Sequence, residues 1–319
     1  MTEDQARLTL VAAGRRLADE GLVARSWGNL SVRLGDSMAV TPSGIPWADL
    51  RPEMIVLVHL ETGQWSGPWK PSGERKVHRE IYRRRPDVAA VVHTHQNAAS
   101  ACAAARLPVP TPAGLVPCAP YALPGTKALT LGTVDALGDG SAVLMANHGV
   151  FTVGASLDGA FDRVRGLECD CAAYLGAKAP RPFPAPIDGP WNPGWLEAIV
   201  LADGTQGQIS TAPFTQAWST TGRRLPAVLD DLAQLAGSKV KMLARLPGRR
   251  PSNDVVMVKG KGAVVCGPDA ETLAMVVEKA ARAVQGGVGL GGAKRFPGWE
   301  AELMRWVYKN SYAKLAKSR

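Results

Sequence analysis

Residues 88–95, Val-Ala-Ala-Val-Val-His-Thr-His, decide the fold of the first half of the chain. The apolar, β-branched run predicts a buried strand, because such side chains pack well on a pleated surface. His93 and His95 are two residues apart, so on a strand both side chains point to the same face. The Ala-rich stretch 97–106 then predicts a helix. Two imidazoles on one face at the end of a buried strand form a candidate cation site.

The segments on either side of this strand alternate between strand and helix patterns. Before it we predict a helix over 5–20, a hairpin of 26–34 with 36–44 around Gly35-Asp36, a strand in 54–65 that enters a Thr62-Gly63 turn, and a helix over 71–85 that Ser72 caps. After it we predict two strands over 141–154 broken at Asn147-His148-Gly149, and an amphipathic helix over 157–175. This order predicts an α/β domain of about 180 residues with an antiparallel sheet.

Length and composition indicate a folded, enzyme-like protein. The 319 residues suffice for two domains, and 46% hydrophobic with 20% charged residues is ordinary for a globular chain. Neither an apolar leader nor a membrane-length apolar run is present, so we expect a cytoplasmic protein with reduced thiols. Cys169 and Cys171 do not share a helix face, which argues against a metal-binding pair.

The second half of the chain differs in charge and is separated by prolines. Residues 1–189 carry a net charge of +1 and residues 190–319 carry +8, while 176–195 contain six prolines. We therefore predict a catalytic domain over 1–178, a linker over 179–195 and a second domain over 196–319. No nucleic-acid-binding module is recognisable, so a solvated basic face that steers an anionic substrate is the preferred interpretation.

The second half contains a weak internal repeat of the first. The stretch that begins at Val255 resembles the stretch that begins near Val143, with Lys261 at the position of His148. Upstream, Ser-Thr-Ala-Pro-Phe offers no histidine where His-Thr-His would lie. Because a lysine does not replace a neutral imidazole as a zinc ligand at neutral pH, we expect the second copy to bind no metal.

Three of the five histidines and one glutamate form the candidate site. His93, His95 and His148 would leave a coordination position open for substrate, as in catalytic zinc sites. Glu74 begins a helix, where a carboxylate is stabilised by free N–H groups; it is either an acid/base group or an ordinary helix-start charge. For His78, one turn later, a supporting or packing role is favoured over a ligand role.

Three short turns rich in glycine and hydroxyl groups are candidates for anion binding. They are the segments 28–31, 41–44 and 71–74, and their candidate binding residues are Gly28, Asn29, Ser43, Gly44, Ser72 and Gly73. Any one of them alone would be an ordinary loop, so the prediction depends on their meeting in space.

Five ordered motifs carry a resemblance to a known family. Gly28-Asn29, Thr41-Pro42-Ser43-Gly44, Pro71-Ser72-Gly73-Glu74, His93-Thr94-His95 and Asn147-His148-Gly149 resemble those of the class II aldolase/adducin family over about residues 5–178. The resemblance implies a three-layer fold with a mainly antiparallel sheet flanked by helices. The internal repeat adds a smaller diverged copy of it at the C-terminus, a domain that the simple aldolases of the family lack. It also implies that the three histidines bind zinc, or alternatively Mn²⁺ or Co²⁺, and that Glu74 is the acid/base.

The same resemblance implies a reaction class and an assembly. The segment around Tyr121 resembles the one that carries an acid tyrosine across a subunit boundary, so Tyr121 is a candidate proton donor. Retro-aldol cleavage of a hydroxy-ketone or sugar phosphate through an enediolate is expected, with decarboxylation, 4-epimerisation or an adducin-like scaffold role as alternatives. We expect a homo-oligomer, dimer or tetramer, in which the second domain replaces some neighbouring domains, and no nucleic-acid or membrane partner. Gly73 stands where phosphate-binding members of the family often have a serine, which weakens the inference that the chain binds a phosphate group.

Overall fold

The computed structural model describes residues 1–23, 26–178 and 191–312. Most of the predicted linker, residues 179–190, lies outside the described residues. The chain divides into two compact units, Met1–Tyr174 and Leu175–Arg319. No helix among the described residues is long and apolar enough to cross a bilayer.

The first unit is a sheet between two helical layers. Its helices are α1 (Glu3–Asp19), α2 (Arg75–Arg84), α3 (Asn97–Ala105), α4 (Lys127–Leu137) and α5 (Leu157–Lys178). Its strands are β1 (Asn29–Leu34), β2 (Ser37–Val40), β3 (Val56–His59), β4 (Ala90–Thr94), β5 (Val109–Thr111), β6 (Gly114–Val116), β7 (Cys118–Ala119), β8 (Ala142–Met145) and β9 (Val150–Gly154). The sheet has the order β3-β2-β1-β4-β9-β8-β7, antiparallel except between β7 and β8. A separate hairpin pairs β5 with β6.

The two faces of this sheet bury separate apolar cores. Helices α1 and α5 cover one face, with Leu10 and Phe161 in the core, and helices α2 and α4 cover the other, with Ile81 and Val134. This is the predicted three-layer arrangement with a mainly antiparallel sheet. The strand β4 lies at its centre and is buried along its whole length.

The predicted elements are present, with one local error at the start of α2. The helix begins at Arg75 with Glu74 as its N-cap residue and without a side-chain cap. The Ser72 hydroxyl instead accepts the N–H of Glu74 at 3.2 Å. Ser72 therefore shapes the turn before the helix rather than capping it. In α5, Cys169 is exposed and Cys171 is buried, so the two thiols do not share a face.

The second unit contains a five-stranded sheet and four helices among its described residues. The strands are β10 (Leu196–Val200), β11 (Gln206–Ser210), β12 (Leu225–Pro226), β13 (Lys239–Val240), β14 (Met242–Leu243), β15 (Val255–Val258) and β16 (Gly262–Cys266). The helices are α6 (Pro213–Thr220), α7 (Asp230–Ala236), α8 (Ala270–Gly287) and α9 (Gly298–Val307). The five-stranded sheet has the order β10-β11-β16-β15-β14, and β12 pairs separately with β13.

This sheet has the same strand order and directions as five consecutive strands of the first unit, from β1 to the edge strand β7. The row β1-β4-β9-β8-β7 corresponds to the row β10-β11-β16-β15-β14. In each row, three antiparallel pairings are followed by one parallel pairing. A helix follows the second strand of each row: α3 follows β4, and α6 follows β11. In both units a buried or partly buried carboxylate accepts the N-terminal N–H groups of that helix. Glu168 binds Ala98 and Ala99 of α3, and Glu278 binds Phe214 and Thr215 of α6.

Candidate metal centre

Three imidazoles and one carboxylate meet at the end of strand β4. His93 and His95 come from this strand and the residue after it, and His148 comes from the turn between β8 and β9. The Nε2 atom of His93 lies 2.9 Å from Nε2 of His95 and 3.2 Å from Nε2 of His148. The oxygens of Glu74 lie 3.0 Å from Nε2 of His93 and 2.9 Å from Nε2 of His148. One ligand atom from each residue lies within 4.8 Å of all the others.

A glycine allows the turn to approach the strand. The turn bends at Asn147, which has a φ of 63°, and the N–H of His148 donates to the carbonyl of Met145 at 3.0 Å. A β-carbon at Gly149 would overlap the carbonyl oxygen of Thr94 and lie 3.2 Å from the ring of His95. Gly149 therefore allows the close contact between β9 and β4 that brings His148 to His93.

The hydrogen bond of His93 to the backbone determines which ring nitrogen can bind a cation. Nδ1 of His93 lies 2.8 Å from the carbonyl oxygen of Val150, which can only accept, so Nδ1 carries the proton. Burial, opposed by the charge of Glu74, lowers the pKa of His93 and favours the neutral ring. The lone pair on Nε2 then faces the other ring nitrogens, which is the tautomer that a metal ligand needs.

The carboxylate of Glu74 completes a site that is complementary to a cation. Burial would raise its pKa, but the close contacts of the carboxylate with the imidazoles of His93 and His148 hold the pKa well below its ordinary value. Oxygen and imidazole nitrogen donors that converge without a positive charge between them repel one another. The four residues thus fit a divalent ion such as Zn²⁺, which accepts imidazole nitrogen and carboxylate oxygen.

The three turns predicted to bind an anion are joined by Thr41. Its hydroxyl accepts the N–H of Leu30 at 3.1 Å, and its carbonyl accepts the N–H of Ser72 at 3.1 Å. Gly28 and Gly44 have positive φ angles, and Gly28 is so close to the carbonyl of His93 that a β-carbon would lie 2.7 Å from it. The turns therefore lie next to each other and beside the histidine cluster.

The individual anion candidates differ in how free their polar groups are. The N–H of Ser43 is already bonded to the carbonyl of Lys70 at 2.9 Å, and Gly73 is exposed. The amide of Asn29 is almost completely buried, and its nitrogen donates to Oε2 of Glu74 at 2.8 Å. Asn29 thus contacts the predicted acid/base directly, a relation that its sequence position alone does not indicate.

Tyr121 is connected through Arg106 to the turn that carries His148. Its ring lies under the guanidinium of Arg106, 4.6 Å from the ring centre. Arg106, which ends α3 in a left-handed conformation, donates to Oδ1 of Asn147 at 2.6 Å. The structure brings Glu74, His93, His95 and His148 together, and Tyr121 contacts Arg106.

Sequence reasoning missed three neighbours of the cluster. Trp27 stacks parallel to His95 with the ring centres 6.4 Å apart, and Ser31 and Tyr82 join His78 in a buried network. Periodicity contains part of this signal, because residues 29 and 31 share a strand face and residues 74, 78 and 82 share a helix face. No pattern in one sequence pairs that strand with that helix.

Comparison with known proteins identifies the family. Residues 8–175 match the model of the Class II Aldolase and Adducin N-terminal domain, and the chain belongs to this family. The 5-methylthioribulose-1-phosphate/5-deoxyribulose-1-phosphate aldolase of Rhodospirillum rubrum is 40% identical over 159 residues, 47% of this chain and 72% of that protein. The 5-deoxy-D-ribulose 1-phosphate aldolase of Bacillus thuringiensis is 32% identical over 182 residues, 54% of this chain and 85% of that protein.

A solved structure supports the same assignment. An L-fuculose 1-phosphate aldolase superposes with a TM-score of 0.53 at 32% identity, covering 55% of this chain and 86% of that one. These matches cover about half of the chain, so they bear on its fold and family over the first unit.

Proposed function

We propose that the chain is a divalent-metal-dependent aldolase that cleaves a ketose 1-phosphate by a retro-aldol reaction. The observation that carries the proposal is the meeting of Glu74 with the Nε2 atoms of His93, His95 and His148. The three relatives described above are named for 1-phosphorylated ketoses, which supports this substrate class. A scaffold role needs no such cluster, since burying a carboxylate among imidazoles costs free energy.

The proposed metal site consists of the three histidines, with Zn²⁺ as the preferred ion. When bound, the ion acts as a Lewis acid that polarises the substrate carbonyl and stabilises negative charge. The carbonyl of Val150 keeps the proton of His93 on Nδ1, and Gly149 lets the third imidazole approach. Mn²⁺ and Co²⁺ are the alternative ions, because the same imidazole ligands also bind them.

The reaction needs two proton transfers, and the chain offers a candidate for each. Cleavage of the C3–C4 bond releases an aldehyde when the C4 hydroxyl loses its proton, and C3 of the enediolate then gains one, leaving dihydroxyacetone phosphate. Cleavage thus moves one proton overall, from the C4 hydroxyl to C3. We assign the transfer at C3 to Glu74, which lies directly at the cluster and which, as a carboxylate, removes the same C3 proton in the reverse condensation. The transfer at the C4 oxygen is assigned to Tyr121 by family resemblance.

The phosphate subsite is assigned to the adjoining turns. Gly28, Ser43, Gly44, Ser72 and Gly73 lie on the three segments joined through Thr41, next to the histidines. Backbone N–H groups and hydroxyls in such turns hold phosphate oxygens. Asn29 is predicted to act mainly on Glu74, because its amide nitrogen already donates to that carboxylate.

A paired set of variants tests the metal and acid/base assignments. H93A or H148A should lose most of the bound zinc and the activity while the fold persists, because each removes one of three ligands. E74Q should keep the zinc and lower turnover by roughly 10²–10⁴, the usual share of general acid–base catalysis. The control is H59A, since His59 is exposed and its Nδ1 accepts the backbone N–H groups of Glu61 and Thr62, away from the cluster.

The readouts are zinc content by mass spectrometry and release of dihydroxyacetone phosphate in a coupled assay. A panel of ketose 1-phosphates, β-keto acids and pentulose 5-phosphates separates cleavage from decarboxylation and epimerisation. Zinc content unchanged in both H93A and H148A would overturn the ligand assignment. Activity of E74Q within a few-fold of the wild type would reduce Glu74 to a helix-start charge.

We further propose that the second unit is a diverged copy of the first without a metal site. Strand pairing places Ser210 opposite Ala263 as it places Thr94 opposite Val150, which aligns Ile209 with His93 and Lys261 with His148. The turns also match, because Gly260 has a φ of 70° and the N–H of Lys261 donates to the carbonyl of Val258 at 3.0 Å. An aliphatic chain and an ammonium at these positions cannot bind zinc.

A further inference from the structure

A chain of five buried or partly buried polar side chains runs from Glu74 into the core of the first unit. The amide nitrogen of Asn29 donates to Oε2 of Glu74 at 2.8 Å, and Oδ1 of Asn29 is bonded to Nε2 of His78. Nδ1 of His78 lies 2.6 Å from the hydroxyl of Ser31, which lies 2.9 Å from the hydroxyl of Tyr82. His78 and Ser31 are fully buried, so water does not supply alternative partners.

The direction of every hydrogen bond in this chain follows from its end at the carboxylate. A carboxylate only accepts, so Asn29 must present its nitrogen to Glu74 and its oxygen to His78. Nε2 of His78 therefore carries the proton and Nδ1 accepts one from Ser31. Ser31, having donated its hydrogen, accepts from Tyr82. Rotating the Asn29 amide by about 180° would place its oxygen against the carboxylate oxygen of Glu74 and break this series of hydrogen bonds.

The electrostatic environment supports a single hydrogen arrangement. Burial, opposed by the charge of Glu74, lowers the pKa of His78 to about 3, so the ring is neutral and has one N–H. Burial raises the pKa of Tyr82, so its hydroxyl remains a donor. A neutral ring with one N–H and one lone pair matches its two neighbours: Nε2–H donates to Oδ1 of Asn29, and Nδ1 accepts from the hydroxyl of Ser31.

We propose that His78 is a positioning residue that acts through Asn29: its Nε2–H holds the amide oxygen, and the amide nitrogen thereby orients the carboxylate of Glu74. This inference rests on the proposed function, in which Glu74 transfers a proton to a carbon atom. That transfer needs a carboxylate held in one rotamer, because reactivity falls when the transferring oxygen moves by about 1 Å. The ring of His78 hydrogen-bonds to Asn29 and Ser31 rather than to the histidine cluster, so its removal should spare the metal.

Two isosteric amide variants separate positioning from packing. Gln at position 78 places an N–H near the position of Nε2 and can still hold Asn29, whereas Asn reaches only the position of Nδ1 and contacts Ser31. We expect H78N to lower kcat by roughly tenfold to a hundredfold, the range found when partners of active-site groups are removed. Zinc content and KM should stay near the wild-type values, and H78Q should recover most of the loss in kcat.

The comparison of the two variants decides the role of the ring. Equal losses of kcat in H78Q and H78N, or losses that follow the melting temperature alone, would show that His78 is only a core residue. A loss of zinc in H78N with kcat per bound zinc unchanged would also overturn the proposal.

A second measurement does not depend on turnover or on a folded variant. Long-range ¹H–¹⁵N NMR of zinc-loaded wild-type protein should show His78 as a neutral ring with its proton on Nε2. A proton on Nδ1, or on both nitrogens, would overturn the proposal even if the substrate class is wrong. If no ketose 1-phosphate is cleaved while His78 has the expected tautomer, the proposed function fails and the hydrogen-bond chain stands.

Discussion

The buried imidazole of His78 makes the stability of the first unit depend on pH in a calculable way. Its pKa is about 3 in the folded chain, and an unfolded histidine titrates near 6.5. Between these values the unfolded state binds a proton that the folded state excludes, so stability rises with pH. The contribution is fully present above about pH 6.5 and is lost as the pH falls toward 3.

The magnitude follows from the separation of the two pKa values. A difference of about 3.5 units corresponds to a total of about 5 kcal/mol. Between pH 7 and pH 5, where the protein is more easily handled, the loss assigned to His78 is about 2 kcal/mol. Other groups titrate in the same range, so the contribution of His78 must be measured as the difference in unfolding free energy between two proteins.

The assay compares urea unfolding of the wild type with that of H78Q, both free of metal, at several pH values. The difference in unfolding free energy between them should change by about 2 kcal/mol from pH 7 to pH 5, with the wild type losing more. H59Q, which removes an exposed imidazole from the same unit, should follow the wild type. Parallel pH curves for the wild type and H78Q would refute the reasoning, since they would mean that His78 is not buried as a neutral ring.

Two further predictions concern the turn at His148 and the second unit. G149A should displace β9 from β4, because the added carbon would overlap the Thr94 carbonyl, and we expect weaker zinc binding with a destabilisation of about 1–3 kcal/mol. The control G166A lies in α5 with open space around it and should keep its zinc; wild-type zinc affinity in G149A would contradict the packing argument. A chain truncated after Ala185 should keep one zinc and lose assembly and activity together. An unchanged, fully active oligomer of that fragment would show that the second unit is needed neither for assembly nor for activity.

The sequence by itself determined the elements and indicated the side chains of the candidate metal centre. Strand β4 was predictable because a β-branched apolar run has few other stable conformations, and the spacing of His93 and His95 then places both rings on one face. The break between β8 and β9 was predictable from Asn147 and Gly149, which suit a tight turn. Five ordered motifs further indicated the family, which the comparison with known proteins confirmed.

Only the tertiary structure decided how these side chains depend on one another. The contact of Asn29 with Glu74, the hydrogen-bond chain through His78 and the stacking of Trp27 on His95 join residues that are distant in sequence. Local propensity carries no information about such pairs, because they depend on which strand neighbours which helix after the apolar cores have packed. The start of α2 was predicted wrongly for the same reason: the Ser72 hydroxyl and N–H are committed to Glu74 and Thr41, and the second of these is a contact with another turn.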